Sequence, residues 1–246
     1  MKNIKLMTVI PILLVLACSS QYADNQTLKF VKRQYKESFQ LKNKKNKIDI
    51  DLYFYQLSDS SRIAVKINNN IKSAVFSKMG LLEETDSLNY QTYYNNIVDE
   101  YKELSETFPN SATIGFQQKT TSEITYNANN ILSVYLESYT YTGGAHGMEY
   151  LEFLNFDTKS GNRIDILSKV SNKNKFVEVA EEKLRKKLNM DDDDPWPEYT
   201  FLKQFELPKN IGMTSKGYQL IYNPYEILPY SEGATRLFID FEEIKN

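Results

Sequence analysis

Between Lys47 and Tyr55 apolar and polar positions alternate, with Ile48, Ile50, Leu52 and Phe54 on one face and Asp49, Asp51, Tyr53 and Tyr55 on the other. A period of two predicts a half-buried strand. The period then changes. Ile63, Ile67, Ile71 and Val75 recur every four residues, and Tyr90, Tyr94, Ile97, Tyr101, Leu104 and Phe108 keep a three/four spacing that Pro109 stops. Two amphipathic helices follow from that spacing, and the aromatic stripe of the second reads as core. Strand patterns return weakly over 112–124 and clearly over 131–141, where Leu132, Val134 and Leu136 point inward. A further run spans Met148 to Phe156. The link between these last two runs, Gly143-Gly144-Ala145-His146-Gly147, suits a wide or bulged hairpin because glycine accepts positive φ. A third helix is expected over 173–189, buried along Phe176, Ala180, Leu184 and Leu188. Short strands near 217–222 and 235–241 flank Asn223-Pro224-Tyr225-Glu226. Helices and strands are segregated rather than alternating, which predicts an α+β fold with mainly antiparallel sheet.

The chain opens differently. Lys2 and Lys5 precede an apolar run from Leu6 to Leu16, broken only by Thr8 and Pro11, which is too short to span a bilayer. It ends in Val15-Leu16-Ala17-Cys18, which resembles the lipobox of bacterial lipoproteins. The expectation is a signal peptide at 1–17, lipid on Cys18 and a polar tether over 18–28, with two or more acyl chains giving stable membrane anchoring. Ser19 and Ser20 after the cysteine point to transit to an outer membrane, so the protein is expected in the cell envelope. Loss of residues 1–17 removes Lys2 and Lys5 and shifts the net charge from −2 to −4. Downstream, Lys29, Lys32, Arg33, Lys36, Lys42, Lys44, Lys45 and Lys47 face only Glu37. That stretch reads as an edge strand whose lysines discourage sheet-to-sheet association, with a juxtamembrane basic patch as the alternative.

Composition narrows the chemistry. The 246 residues include 18 tyrosines but one His, one Cys and one Trp. A Cys/His zinc site needs three or four ligands of those types, and a disulfide within the chain needs two cysteines. No cofactor or metal is therefore expected. An acidic balance argues against a nucleic-acid binder.

Three stretches carry a family resemblance: Tyr141-Thr142-Gly143-Gly144-Ala145-His146-Gly147, then Phe156-Asp157-Thr158-Lys159-Ser160-Gly161, then Tyr222-Asn223-Pro224-Tyr225-Glu226-Ile227 with Pro229-Tyr230 and Gly233. In that order they resemble a tandem pair of bacterial extracytoplasmic domains of unknown function. The pair precedes the catalytic domain of a peptidoglycan N-deacetylase and forms the outer part of the lysozyme-sensing anti-sigma factor RsiV. The resemblance covers roughly residues 45–242. It implies two small α+β lobes, here 29–147 and 148–246, and implies no chemistry. A zinc deacetylase of that type uses two His and one Asp, which a single His does not supply.

His146 is the only imidazole. Catalysis, a structural role across the glycine loop and a binding role at a lobe junction all stay open for it. There is no Gly-x-Ser-x-Gly nucleophile elbow, and acylation of Cys18 would remove the only thiol. Asp191–Asp194 reads as a solvated junction rather than a calcium loop, because four consecutive carboxylates do not converge on one ion. Two functions follow. The first is a non-catalytic envelope binding module for peptidoglycan or another glycan, or for a lysozyme-like protein, using Tyr141, Gly143, Gly144, His146, Tyr225 and Glu226. The second is a carboxylate-dependent envelope glycan hydrolase, with Glu226 and Glu137 as the acid pair.

Overall fold

A computed structural model describes residues 28–41, 47–80, 89–109 and 115–245. The signal segment, Cys18 and all but the last residue of the tether lie outside these. Among the described residues eight strands form two sheets. The larger has the order β1 (Phe30–Phe39), β2 (Ile48–Leu57), β3 (Phe116–Ala128), β4 (Ile131–Tyr141), β5 (Met148–Asp157). The smaller has the order β6 (Asn210–Met213), β7 (Gly217–Tyr222), β8 (Thr235–Asp240). All neighbours run antiparallel except β2 and β3, which are parallel. Two helices, α1 (Arg62–Phe76) and α2 (Tyr90–Thr107), make that parallel pair possible by carrying the chain back along the sheet. Ser61 and Asn89 cap them, their side-chain oxygens accepting from the N–H groups of Ala64 and Thr92.

The two helices cover one face of the large sheet. Ile48, Ile50, Leu52 and Phe54 of β2 and Leu132, Val134 and Leu136 of β4 meet Ile67, Ile71, Val75, Tyr93, Ile97 and Tyr101, all buried. Each such Ile or Leu stabilises the fold by about 1.5–3 kcal/mol. Of the predicted aromatic stripe, Ile97 and Tyr101 are buried and Tyr90, Tyr94 and Leu104 partly so. Phe108 at the helix end is exposed, whereas Tyr93, outside the stripe, is buried and stacks on Phe76, as Tyr90 does on Tyr35. β1 forms one edge of the sheet, with Lys32, Arg33 and Lys36 exposed. Between β3 and β4 the chain reverses through Asn129 and Asn130, both at positive φ, a two-residue hairpin that asparagine tolerates.

A second core lies under the small sheet. Helix α3 (Lys173–Lys187) buries Phe176, Ala180 and Leu184 against Leu220, Leu237 and Ile239, with Trp196 of the short helix α4 (Trp196–Tyr199) beside them. The strand Met148–Asp157, placed by sequence at the start of the second lobe, hydrogen-bonds along β4 and completes the first sheet. Its other face carries Leu151 and Phe153, which pack on Ile221 of β7 and so join the two cores. A strand buried on both sides by different partners carries no sequence mark of which lobe owns it.

Candidate functional site

As an edge strand, β5 would expose backbone groups, and here side chains close them. Leu151 donates its N–H to Asn223 Oδ1 at 2.8 Å, and its carbonyl accepts from Asn223 Nδ2 at 3.0 Å and Asn210 Nδ2 at 2.8 Å. Phe153 donates to Asn210 Oδ1 at 2.7 Å, and its carbonyl accepts from Arg163 Nη2 at 3.2 Å. Farther along, Asn155 Nδ2 donates to the Ile211 carbonyl at 2.7 Å, and Asn155 Oδ1 accepts from Ser133 Oγ at 2.6 Å. Carboxamides thus stand in for the next strand and fasten the small sheet to the large one.

This fastening brings the two sequence motifs together. After Asn223 the chain turns through Pro224 and Tyr225, and Glu226 donates its N–H back to the Asn223 carbonyl at 3.0 Å. Tyr225 sits at φ 70. A four-residue turn with proline second and a positive φ third is the type II arrangement, in which glycine normally takes the third place. A tyrosine there costs about 1–2 kcal/mol of backbone energy. The residue is 52% exposed, and its ring stacks on that of Tyr230 at 5.7 Å between centroids. His146 also stacks on Tyr230, at 4.4 Å and 19°. Three rings therefore form one ledge, contributed by both lobes.

Gly147 locks the ledge in place. Its carbonyl accepts from Tyr230 Oη at 2.7 Å and from His146 Nδ1 at 2.9 Å. That bond puts the proton of a neutral imidazole on Nδ1 and leaves Nε2 an acceptor. A β-carbon at position 147 would overlap the Tyr139 ring and the Thr140 carbonyl, so only glycine allows Tyr139 to lie against the loop. Gly143 and Gly144 adopt φ 101 and 94, as the hairpin reading requires. Tyr141 Oη closes the same loop by donating to the Gly144 carbonyl at 3.0 Å.

Tyr150 is exposed near the start of β5. Lys78 Nζ sits 4.1 Å over its ring and pairs with Glu152 at 2.7 Å. Burial pushes the Tyr150 hydroxyl above its ordinary value, and the charges of Glu152 and Glu226 push the same way. Glu226 is exposed beside Tyr225, with its carboxylate 3.5 Å from Asn223 Nδ2. Glu137 instead acts on Tyr135. Burial raises that hydroxyl to about 12, with the charges of Glu137, Glu149 and Glu123 adding to it and Arg236 opposing. Glu226 and Glu137 thus act on different tyrosines. Among the described residues no group of three or more His, Cys, Asp or Glu side chains is placed to hold a metal ion. Arg185 organises the acidic run, donating from Nη1 to the carbonyls of Asp191 and Asp194 at 3.0 Å each.

Of the expected residues, His146 and Tyr225 meet through Tyr230, Glu226 flanks them, and Tyr141, Gly143 and Gly144 shape the loop. Sequence reasoning left out Tyr230, Tyr139, Asn210 and Asn223 as site residues. Pro229-Tyr230 and Asn223 lay within the motif stretches, but nothing local marks which ring becomes the centre of a stack.

Residues 41–149 match the family described as Deacetylase PdaC, and residues 165–242 match that described as Protein of unknown function (DUF3298). The two matches lie in tandem along the chain. The interval between them holds most of β5, the strand shared by both cores. The fold is similar to that of a DUF3298-family protein from Bacteroides fragilis, with TM-score 0.64 and 19% identity over 87% of this chain and 91% of that one. It is also similar to a DUF3298-family protein from Pseudomonas aeruginosa, with TM-score 0.63 and 17% identity over 89% of this chain and 93% of that one. No curated protein matches.

Proposed function

We propose that this tandem of a PdaC-like and a DUF3298 domain is a non-catalytic, lipid-anchored module of the cell envelope that binds its ligand where the two lobes meet. The observation that supports a binding role is Tyr225. An exposed aromatic ring occupies a backbone position suited to glycine, and only surrounding structure holds it there. Strain retained at an exposed side chain is common where that side chain meets a ligand. The neighbouring surface agrees. Among the described residues ten large hydrophobic side chains are exposed, and Tyr139, Met148, Tyr150 and Tyr225 belong to the ledge and the strand ends beside it. The anchor in this reading is Cys18.

The test is the double substitution His146→Ala with Tyr225→Ala. Capture of purified wall sacculi and of lysozyme is measured beside the melting temperature. Binding at the junction predicts a variant that melts within a few degrees of the native chain and captures neither probe, where the native chain captures one. A variant that melts early and still captures as well as the native chain would show the motifs to be a weld only.

A further inference from the structure

Resting on Cys18 as the lipid anchor, we infer that the β1 edge of the large sheet is a membrane-docking surface, which lies against anionic lipid headgroups and turns the lobe junction away from them. Charge is divided across this sheet. β1 pairs with β2 alone, so among the described strands its outer edge has no neighbour. Lys29, Lys32, Arg33 and Lys36 are exposed there against one exposed acid, Glu37. On β3, Lys119 adds an exposed cation across from Asp51. The acids of β2 are matched, since Lys36 pairs with Asp51 at 3.7 Å and Lys47 with Asp49 at 3.0 Å. Among the described residues Lys29, Lys32, Arg33 and Lys119 make no ion pair. Toward β5 the sign reverses on the same face, with Glu123 and Glu137 exposed and Glu149 half-buried.

Two features separate a docking surface from an edge that is merely guarded against pairing. Lys119 stands on an inner strand and guards no edge. The second feature is aromatic. Lys32 Nζ lies 5.4 and 5.7 Å from the ring centres of Tyr53 and Tyr55, both half-buried on β2. Tyrosine beside lysine suits the headgroup layer, where an amphipathic ring and a cation are both favoured. A linear polyphosphate in solution would use the cations and leave the rings idle. Reach agrees with the chemistry. Ten residue steps separate Cys18 from Leu28, and ten extended residues span at most about 36 Å. β1 is the first strand after the anchor, so the tether holds it at high local concentration beside the headgroups. Strands lie about 4.8 Å apart, which sets β5 and the junction about 19 Å from β1. The screening length in physiological salt is about 8 Å. Headgroups against β1 therefore attract its cations and leave the acids of β4 and β5 outside their field.

The experiment reconstitutes the full lipidated chain into vesicles of phosphatidylcholine, alone or mixed with phosphatidylglycerol. The vesicles are floated, and lysines are labelled with N-succinimidyl acetate, a neutral reagent, and read by mass spectrometry. On the mixed vesicles, labelling of Lys29, Lys32 and Lys119 should fall by about threefold or more and recover in about 0.5 M salt. Lys173 and Lys187, exposed on α3, should label alike on both. A triple variant, Lys29→Gln with Lys32→Gln and Arg33→Gln, should lose the protection of Lys119 while melting within a few degrees of the native chain. The salt series on the native chain tests the inference without that variant. Equal labelling of Lys29, Lys32 and Lys119 on both vesicles would overturn the docking surface and leave the anchor standing. A chain that floats with the mixed vesicles only would overturn the anchor and support the docking; one that floats with neither would overturn both. Protection by added linear polyphosphate on phosphatidylcholine, with none from phosphatidylglycerol, would assign the surface to a soluble polyanion and overturn the membrane.

Discussion

Removing the carboxamides of Asn210 and Asn223 tests whether β5 truly joins the lobes. Asn223→Ala leaves the buried Leu151 N–H without its 2.8 Å partner, and Asn210→Ala does the same to the Phe153 N–H at 2.7 Å. An orphaned buried donor costs about 1–3 kcal/mol, so each single variant should lose that much. The Leu151 carbonyl is different because both asparagines donate to it. Either single variant leaves it one donor, and only the double variant strips it bare. The double variant should therefore lose about 1–2 kcal/mol more than the two single losses together. Equilibrium unfolding in urea measures all three, provided the slope with denaturant stays constant. Single losses that add to within about 0.5 kcal/mol would refute the shared carbonyl and with it the joint as drawn.

Gly143→Ala places a β-carbon at φ 101 and should destabilise the chain by about 1 kcal/mol or more in the same urea assay. In alkali the buried tyrosines matter. Burial raises the Tyr93 and Tyr222 hydroxyls in the folded state, so their contribution is complete below the ordinary tyrosine value of about 10 and is lost as pH rises above it. Phenolate absorbance should accordingly appear in two phases, exposed tyrosines first and these two only with unfolding. Cys18→Ala should move the protein out of the membrane fraction, and a variant that still sediments wholly with membranes would locate the anchor elsewhere.

Much of the fold was legible because it follows from period alone. The alternation at 47–55 and the fourfold spacing at 63–75 name the face that is buried, and the stripe at 90–108 does so at Ile97 and Tyr101 while missing the buried Tyr93 and including the exposed Phe108. Pairing was not legible. The parallel contact of β2 with β3 depends on where two helices return the chain, and the alternation of β2 is the same beside either kind of neighbour. The ledge was half legible. His146 and Tyr225 stood out by rarity and by motif, and the positive φ of Gly143 and Gly144 follows from glycine in a hairpin. Tyr230 and the two asparagines act across 59 to 83 residues of chain, as the bond from Tyr230 to Gly147 shows. Local sequence reads Asn223 as a turn former, and its second task of completing the edge of β5 exists only once the sheets have met.

The central claim is that the junction binds rather than merely holds, and Tyr225→Gly tests it most directly. Glycine relieves about 1–2 kcal/mol of left-handed backbone cost, while losing the ring stack costs about 0.5–1.5 kcal/mol and the freer unfolded chain roughly 0.5–1 kcal/mol. These offset, so the variant should unfold within about 1 kcal/mol of the native chain while its capture of wall glycan falls by about tenfold or more. A variant that loses more than about 2 kcal/mol of stability and captures as well as the native chain would contradict the account.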